Sequence, residues 1–270
     1  MHAARLLSHL AALTFLAGTL PLAAQSSQPE ALQAVRAAVA SEMQNSQTDK
    51  SIWTYMDHDR TDDKDAIYRV VETRQGDLRR MVELNGKPVT GAAEQAETQR
   101  IDTYINDSAA QARARRNGAH DDAQAAALLK MLPDAFIWSV VGQNAEFITL
   151  RFTPNPNFNP PDMQSRVMSI MGGEMMIARD GNRIRTLKGA LTQEVKFGFG
   201  IFGHLDQGGT FDIERRLVGG GHWQITETHV HIGGKALLFK TIGQQEDEVK
   251  TDWKSSPAST LQEAAHFLAP

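Results

Sequence analysis

The stretch VKFGFGIFGHLDQGG, residues 195–209, decides how the chain folds. Gly198, Gly200 and Gly203 stand in it at the G-x-G-x-x-G spacing of a dinucleotide site. That fingerprint works only where a strand feeds a helix whose N-terminal amides receive the pyrophosphate, with an acid about 20 residues further on for the ribose. Here the third glycine runs into HLDQGG, which reads as a turn and not as a helix start. At a period of two, Val195, Phe197, Phe199 and Ile201 share one side of a strand, and Lys196, Gly198 and Gly200 the other. The glycines strip side chains from one side of an apolar run, as bending, a bulge or close approach of another segment requires. The motif therefore predicts a curved antiparallel sheet and no nucleotide cofactor.

Outward from this point the pattern continues. Turn signals at Gly172-Gly173, Asp180-Gly181, Gly208-Gly209, Gly219 to Gly221 and Gly233-Gly234 separate strand-length runs, as in a long antiparallel meander. Upstream, AFIWSVVGQNAEFITLRFTPNP holds two strands hinged about Gly142-Gln143-Asn144, and the prolines of TPNPNFNPPD make a crossing loop, since they remove ladder donors. SIWTYMDHD, DAIYRVVETRQG and LRRMVELNG read as three more strands, closing at Asn85-Gly86. Ser27 caps a helix that starts at Pro29, runs to about Asn45 and carries Leu32, Val35, Val39 and Met43 on one face. Residues 90–116 suit a long polar helix with Ile101, Tyr104 and Ile105 as its narrow buried stripe. A shorter helix follows Asn117-Gly118, with Ala127, Leu128 and Met131 inward, and stops at Pro133; another follows Ser259 and Thr260 and ends at Leu268.

The first 24 residues read as a cleaved signal peptide: Arg5, then a mostly apolar run from Leu6 to Leu22, then LAAQ. Residues 25–270 are then one periplasmic or otherwise secreted domain. The leader's apolar core falls short of the about 20 residues of a membrane span, and no later segment approaches that length, so no transmembrane anchor is expected. There is no cysteine, so neither disulfides nor a lipid-modified N-terminal cysteine are available, and stability rests on the core. A net charge of −4 on a mixed surface gives nucleic acid no reason to bind.

Candidate chemistry is sparse. Glu227, His229 and His231 alternate on one strand, an E-x-H-x-H array that offers a cation one carboxylate and two imidazoles, as a metal-dependent hydrolase would need. With Gly233-Gly234 as a two-residue turn, Val230 and Ile232 occupy the opposite side, facing Leu237 and Lys235. Trp223 and Ile225 belong to the same odd-numbered set as the histidines, so the apolar side switches near Glu227. That switch marks a bulge or the point where the strand leaves the core, and in the latter case the three polar groups face water. The acidic segment YMDHDRTDDKD lacks the glycine and closing glutamate of a calcium loop and reads as a solvated hairpin tip. No G-x-S-x-G elbow, P-loop or cysteine nucleophile is present.

The other candidates are the large aromatics Trp53, Tyr55, Phe136, Trp138, Phe147, Phe199, Phe202, Trp223 and Phe239. A curved sheet has more concave surface than two or three helices cover, so these side chains either pack the core or line a cavity for an apolar ligand.

The segment GGEMMIARDGNRIRTLKG, residues 172–189, resembles the recurrent hairpin of the LolA-like lipoprotein-carrier and RseB fold, with Met176-Ile177-Ala178 where that family carries an aromatic and an acid. LPDAFIW, FTPNPNFNP and VKFGFGIFG are similar to stretches in a set of exported bacterial proteins. The order of elements resembles the same fold over most of residues 25–270. This resemblance implies an α+β domain, an open, incomplete β-barrel packed on helices, whose apolar interior holds a lipid or a lipoprotein acyl chain without enzymatic activity. An envelope protein or peptide is the alternative partner.

Overall fold

The computed structural model describes residues 23–197, 203–236 and 245–270. Residues 1–22 of the expected leader lie outside the described residues, as do Phe199, Phe202 and Phe239. The chain is α+β. Helix α1 (Ala23–Thr48) begins ahead of Pro29 and buries Ala31, Val35, Ala38 and Val39 down one face. Strands β1 (Trp53–Thr61), β2 (Asp65–Thr73) and β3 (Gly76–Leu84) form the expected meander. Asn85 (φ 49°) and Gly86 (φ 72°) turn the chain into β4 (Lys87–Pro88), both in the left-handed region that a tight hairpin demands.

The next two helices divide elsewhere than the sequence suggests. Helix α2 (Ala92–Asn106) gives way to α3 (Ser108–Ala135) at Asp107, and Gly118 lies inside α3. The break has a side-chain cause. Asp107 Oδ1 accepts from Ala110 N at 2.8 Å, and Gln111 Nε2 donates to the carbonyls of Tyr104 and Ile105, so both helix ends are satisfied at one point. A mid-helix glycine costs only about 1 kcal/mol, less than such a pair of caps contributes. Pro133 sits within the last turn of α3 and does not end it.

Strands β5 (Phe136–Gln143) and β6 (Phe147–Pro154) hinge as expected, and after the crossing loop comes a helix the sequence reading lacked, α4 (Met163–Ser169), begun by a reciprocal cap between Asp162 and Ser165. Strands β7 (Met171–Ala178) and β8 (Arg183–Leu191) make the hairpin about Asp180-Gly181, but Gly172-Gly173 lies inside β7 and is not a turn. Strand β9 (Val195–Phe197) pairs antiparallel with β10 (Gly203–Leu205), with Phe197 opposite Gly203. Where one bent strand from Val195 was expected there are thus two paired strands, residues 198–202 lying outside the described residues, and the third glycine of the motif opens a strand where a cofactor site needs a helix. Strands β11 (Thr210–Gly219) and β12 (His222–His231) turn at the glycines between them. Gly233-Gly234 is no hairpin turn: Gly234 starts β13 (Gly234–Ala236) against β10, so close that a Cβ would lie 2.2 Å from the His204 carbonyl oxygen. Strand β14 (Gln245–Ser255) and helix α5 (Leu261–Phe267), capped by Thr260, complete the chain.

Eleven strands form one antiparallel sheet in the order β4-β3-β2-β1-β14-β12-β11-β8-β7-β6-β5, with β9, β10 and β13 in a separate small sheet. The ends β4 and β5 stay free, so the sheet is not closed into a barrel. Five α-helices stand among the described residues, against four helical stretches read from the sequence, of which two or three were expected to cover the sheet. Helices α1, α3 and α4 lie on one face, against Trp138, Phe152, Leu150, Met175 and Leu191. Helices α2 and α5 cover the other face of β2 and β3, where Ile101, Leu261 and Leu268 bury Val71 and Leu78.

One buried charge cluster fastens α1 to the sheet. Glu42, 8% exposed, accepts from Arg183 Nε (3.1 Å) and Nη2 (3.0 Å) and from Ile184 N (2.9 Å) on β8, and pairs with Arg215 on β11. Burial pushes its carboxyl up, but the hydrogen bonds from Arg183 and Arg215 outweigh that and hold it below the usual range. Glu42→Gln would leave two guanidiniums without a counter-charge and should cost about 3 kcal/mol in urea unfolding; a loss under about 1 kcal/mol would show that the clamp is not needed.

Candidate functional site

Between the sheet and α3 and α4 lies a pocket of about 520 Å³. Its roof is one face of α3, with Ala125, Leu128, Leu129 and Leu132, together with Val167 and Met168 of α4. Its floor is the inner face of six strands, from Phe136 and Trp138 on β5 through Phe152, Met171 and Leu187 to Phe211, Ile213 and Val230. Among the described residues Gln164 is the single polar side chain in the lining, and its Nε2 donates to Gln124 Oε1 at 3.2 Å, linking α4 to α3. The Trp138 indole N–H donates to the Leu132 carbonyl at 3.0 Å, so its ring offers the pocket only carbon.

Beside the floor, two glycines let neighbouring segments close up on one another. The register sets Phe152, Gly173, Gly189, Phe211 and Val230 in one row across β6, β7, β8, β11 and β12. A Cβ on Gly173 would lie 2.0 Å from the Lys188 carbonyl oxygen, and one on Gly189 2.8 Å from the Phe211 ring. The backbones of β7 and β8 approach where no side chain fits, and Phe211 lies over the gap.

Of the aromatics singled out in the sequence, Phe136 and Trp138 line this pocket. Trp53 and Tyr55 belong to a second cluster on β1, where Tyr55 stacks on Trp253 with ring centroids 4.3 Å apart. Phe147 is on the opposite sheet face from Ile148 and Leu150, under the Arg185 guanidinium at 5.0 Å. Trp223 is half-buried beside the β11–β12 turn, where its carbonyl accepts from Arg215. The pocket's other walls, above all Phe152, Phe211, Leu128 and Met168, went unnoticed because they are ordinary inward residues at strand or helix spacing. Leu128 points inward as expected, while Ala127 is exposed.

Glu227, His229 and His231 do share the outer face, and the expected switch beside Glu227 is a bulge: Glu214 pairs with Glu227 but Arg215 with Ile225, leaving Thr226 extra and buried. The partner missing from the sequence reading is Asp247 of β14. Its Oδ1 accepts from His229 Nδ1 at 2.6 Å and from His231 Nε2 at 2.9 Å, while Glu227 pairs with Arg216 at 2.8 Å. These nitrogens are spent on a carboxylate, and among the described residues no three such side chains are arranged to hold a metal ion. His229 is instead one step in a row of alternating charge. Arg151, Glu174, Lys188, Asp212, His229, Asp247, Arg60 and Asp65 are successive cross-strand neighbours.

No protein-family model, curated protein or solved structure matches the chain. The site is read from its own geometry.

The hydrogen bond to Asp247 raises the His229 pKa, so its ion pair contributes stability that is complete below about pH 6.5 and is lost as pH rises through the folded-state value. Asp247 is held low by both imidazoles against the upward push of burial, which keeps the pair intact in mild acid. His229→Asn should therefore lower the thermal midpoint most near about pH 5.5 and least near about pH 8.5, and a pH-independent difference would count against the pairing.

Proposed function

We propose that this protein is an exported, non-enzymatic holder or carrier of an apolar ligand, a lipid or a lipoprotein acyl chain, bound between the sheet and helices α3 and α4. The observation that carries this reading is the pocket of about 520 Å³ with Gln164, among the described residues, as its one polar wall residue. The pocket is partly open, so its apolar walls, left empty, face water at a cost of about 25 cal/mol per Å². A ligand removes that cost, and each methylene withdrawn from water adds about 0.8 kcal/mol. The resemblance to the LolA-like fold supports the same reading, since it too implies an open sheet with a helical cover over an apolar interior. Export rests on the leader; among the described residues no helix is long and apolar enough to cross a membrane.

A second reading has one specific feature in its favour. Strand β5 is a free edge with Ile137 and Val141 exposed on its outer side, where an added peptide strand would find open ladder groups and apolar contacts.

Solvent extraction of the purified protein followed by mass spectrometry should yield lipid, and the emptied protein should take up a fluorescent fatty acid. Leu128→Trp, which fills the pocket from its roof, should weaken uptake about tenfold or more with the thermal midpoint nearly unchanged. Absence of both lipid and uptake, with a specific polypeptide retained in its place, would replace the carrier with the edge-binding module.

A further inference from the structure

The inner face of the sheet changes character beyond β12. On β1, β2 and β14 it presents Tyr55, Asp57, Val70 and Glu248, and a second pocket of about 390 Å³ opens there, which Arg100 and Tyr104 of α2 also line. Asp57, Asp77, Glu248, Arg79 and Arg100 line it, with the rings of Tyr55 and Tyr104 as its aromatic walls. It shares no lining residue with the apolar pocket.

Asp57 is the anomaly in this site. It is 5% exposed, and its Oδ1 has no hydrogen-bond partner among the described residues. A buried carboxylate oxygen without a donor costs about 1–3 kcal/mol or more, so such groups are seldom left unmet. The cations nearby are already engaged. Lys250 Nζ stands 3.1 Å from Glu248 Oε2, Arg100 is held by Glu97 at 2.6 Å, and the Arg79 guanidinium lies over the Tyr68 ring at 4.4 Å. Asp59 on the same strand is paired with Lys64 at 2.7 Å and adds a further negative charge.

We propose that this pocket binds a small organic cation, a primary amine or guanidinium compound, whose N–H groups reach Asp57 and whose carbon chain lies along Tyr55 and Tyr104. The ligand supplies the donor that Asp57 lacks, beside Lys250, which is the cross-strand neighbour of Asp57 on β14 and stands 5.7 Å from the Tyr55 ring centre. The Tyr55 ring is fixed by its stack on Trp253, so one wall is rigid before anything binds. Protonation supports the charge argument. Burial first, then Glu248, pushes Asp57 up to about 6; burial first, then Asp77, pushes Glu72 up to about 7, against the hydrogen bond it accepts from Trp53 N; and burial pushes Asp77 up as well. Burial raises all three although Lys250 already works against it, and a bound ammonium would lower them further.

The test is calorimetric titration of the full chain with putrescine, and with 1,4-butanediol as its uncharged counterpart. Saturable binding of putrescine alone is expected near about pH 7.5, and binding about tenfold weaker or worse near about pH 5, where Asp57 and Glu72 take up protons. Asp57→Asn should weaken binding about tenfold or more, with Glu248→Gln as the second variant should the first not fold, while Leu128→Trp should leave it unchanged. Equal binding of the diol, no heat with putrescine, or an affinity indifferent to both carboxylate changes would overturn the proposal. None of these outcomes bears on lipid uptake, which is read at the other pocket.

Discussion

The period of two along a strand ties every residue of the large sheet to one of two surfaces, and nearly everything else in the molecule answers that constraint. The inner surface from β5 to β11 is apolar, with Trp138, Phe152, Leu150, Met175 and Ile177 almost wholly buried, so something must lie on it. Helices α1, α3 and α4 do, and the Glu42 cluster sets how closely α1 sits. Where α3 and α4 bridge the strands from β5 to β12, the cover stands off from the sheet, and the pocket is the space left between them.

The outer surface carries the complementary instruction. A shift of register by one residue would carry every charge of the row from Arg151 to Asp65 to the inner side; a shift by two would keep the faces and break the alternation of sign. Individually such exposed pairs contribute little, about 0–1 kcal/mol each. Collectively they make one pairing better than its neighbours. The histidine array belongs to that pattern, which gives His229 and Asp247 a structural reason to be where they are.

How much of this was legible depended on whether the cause was local. Turns at Asn85-Gly86, Asp180-Gly181 and Gly219 to Gly221 announce themselves by residues that accept unusual backbone angles, and the reversal of the apolar side at Glu227 announced its bulge. The glycines at 172–173 and 233–234 look the same in the sequence but serve close approach to distant segments, from Lys188 and His204, which nothing nearby reveals. Strand β14 enters between β1 and β12, so Asp247 reaches the histidines by a pairing that only the assembled sheet defines. The aromatics were chosen by size, and size does not say which side a residue takes: Phe147 and Ile148 are neighbours in the chain and occupy opposite faces. The carboxylate of Asp57 belongs in the sequence to an acidic turn that looks solvated, because its burial depends on pairing with the distant β14.

Helix α3 shows what such remote dependence means for length. From Arg113 to Ala123 every residue is exposed, so about 16 Å of helix crosses solvent between the end packed near α2 and the leucines over the pocket. This span works as a ruler that also keeps time. Each residue advances the azimuth by about 100°, so losing one would swing Leu128, Leu129 and Leu132 away from the sheet, whereas losing seven would return them to within about 20° but draw the two ends together by two turns. Composition along those eleven positions is almost unconstrained; their number is not.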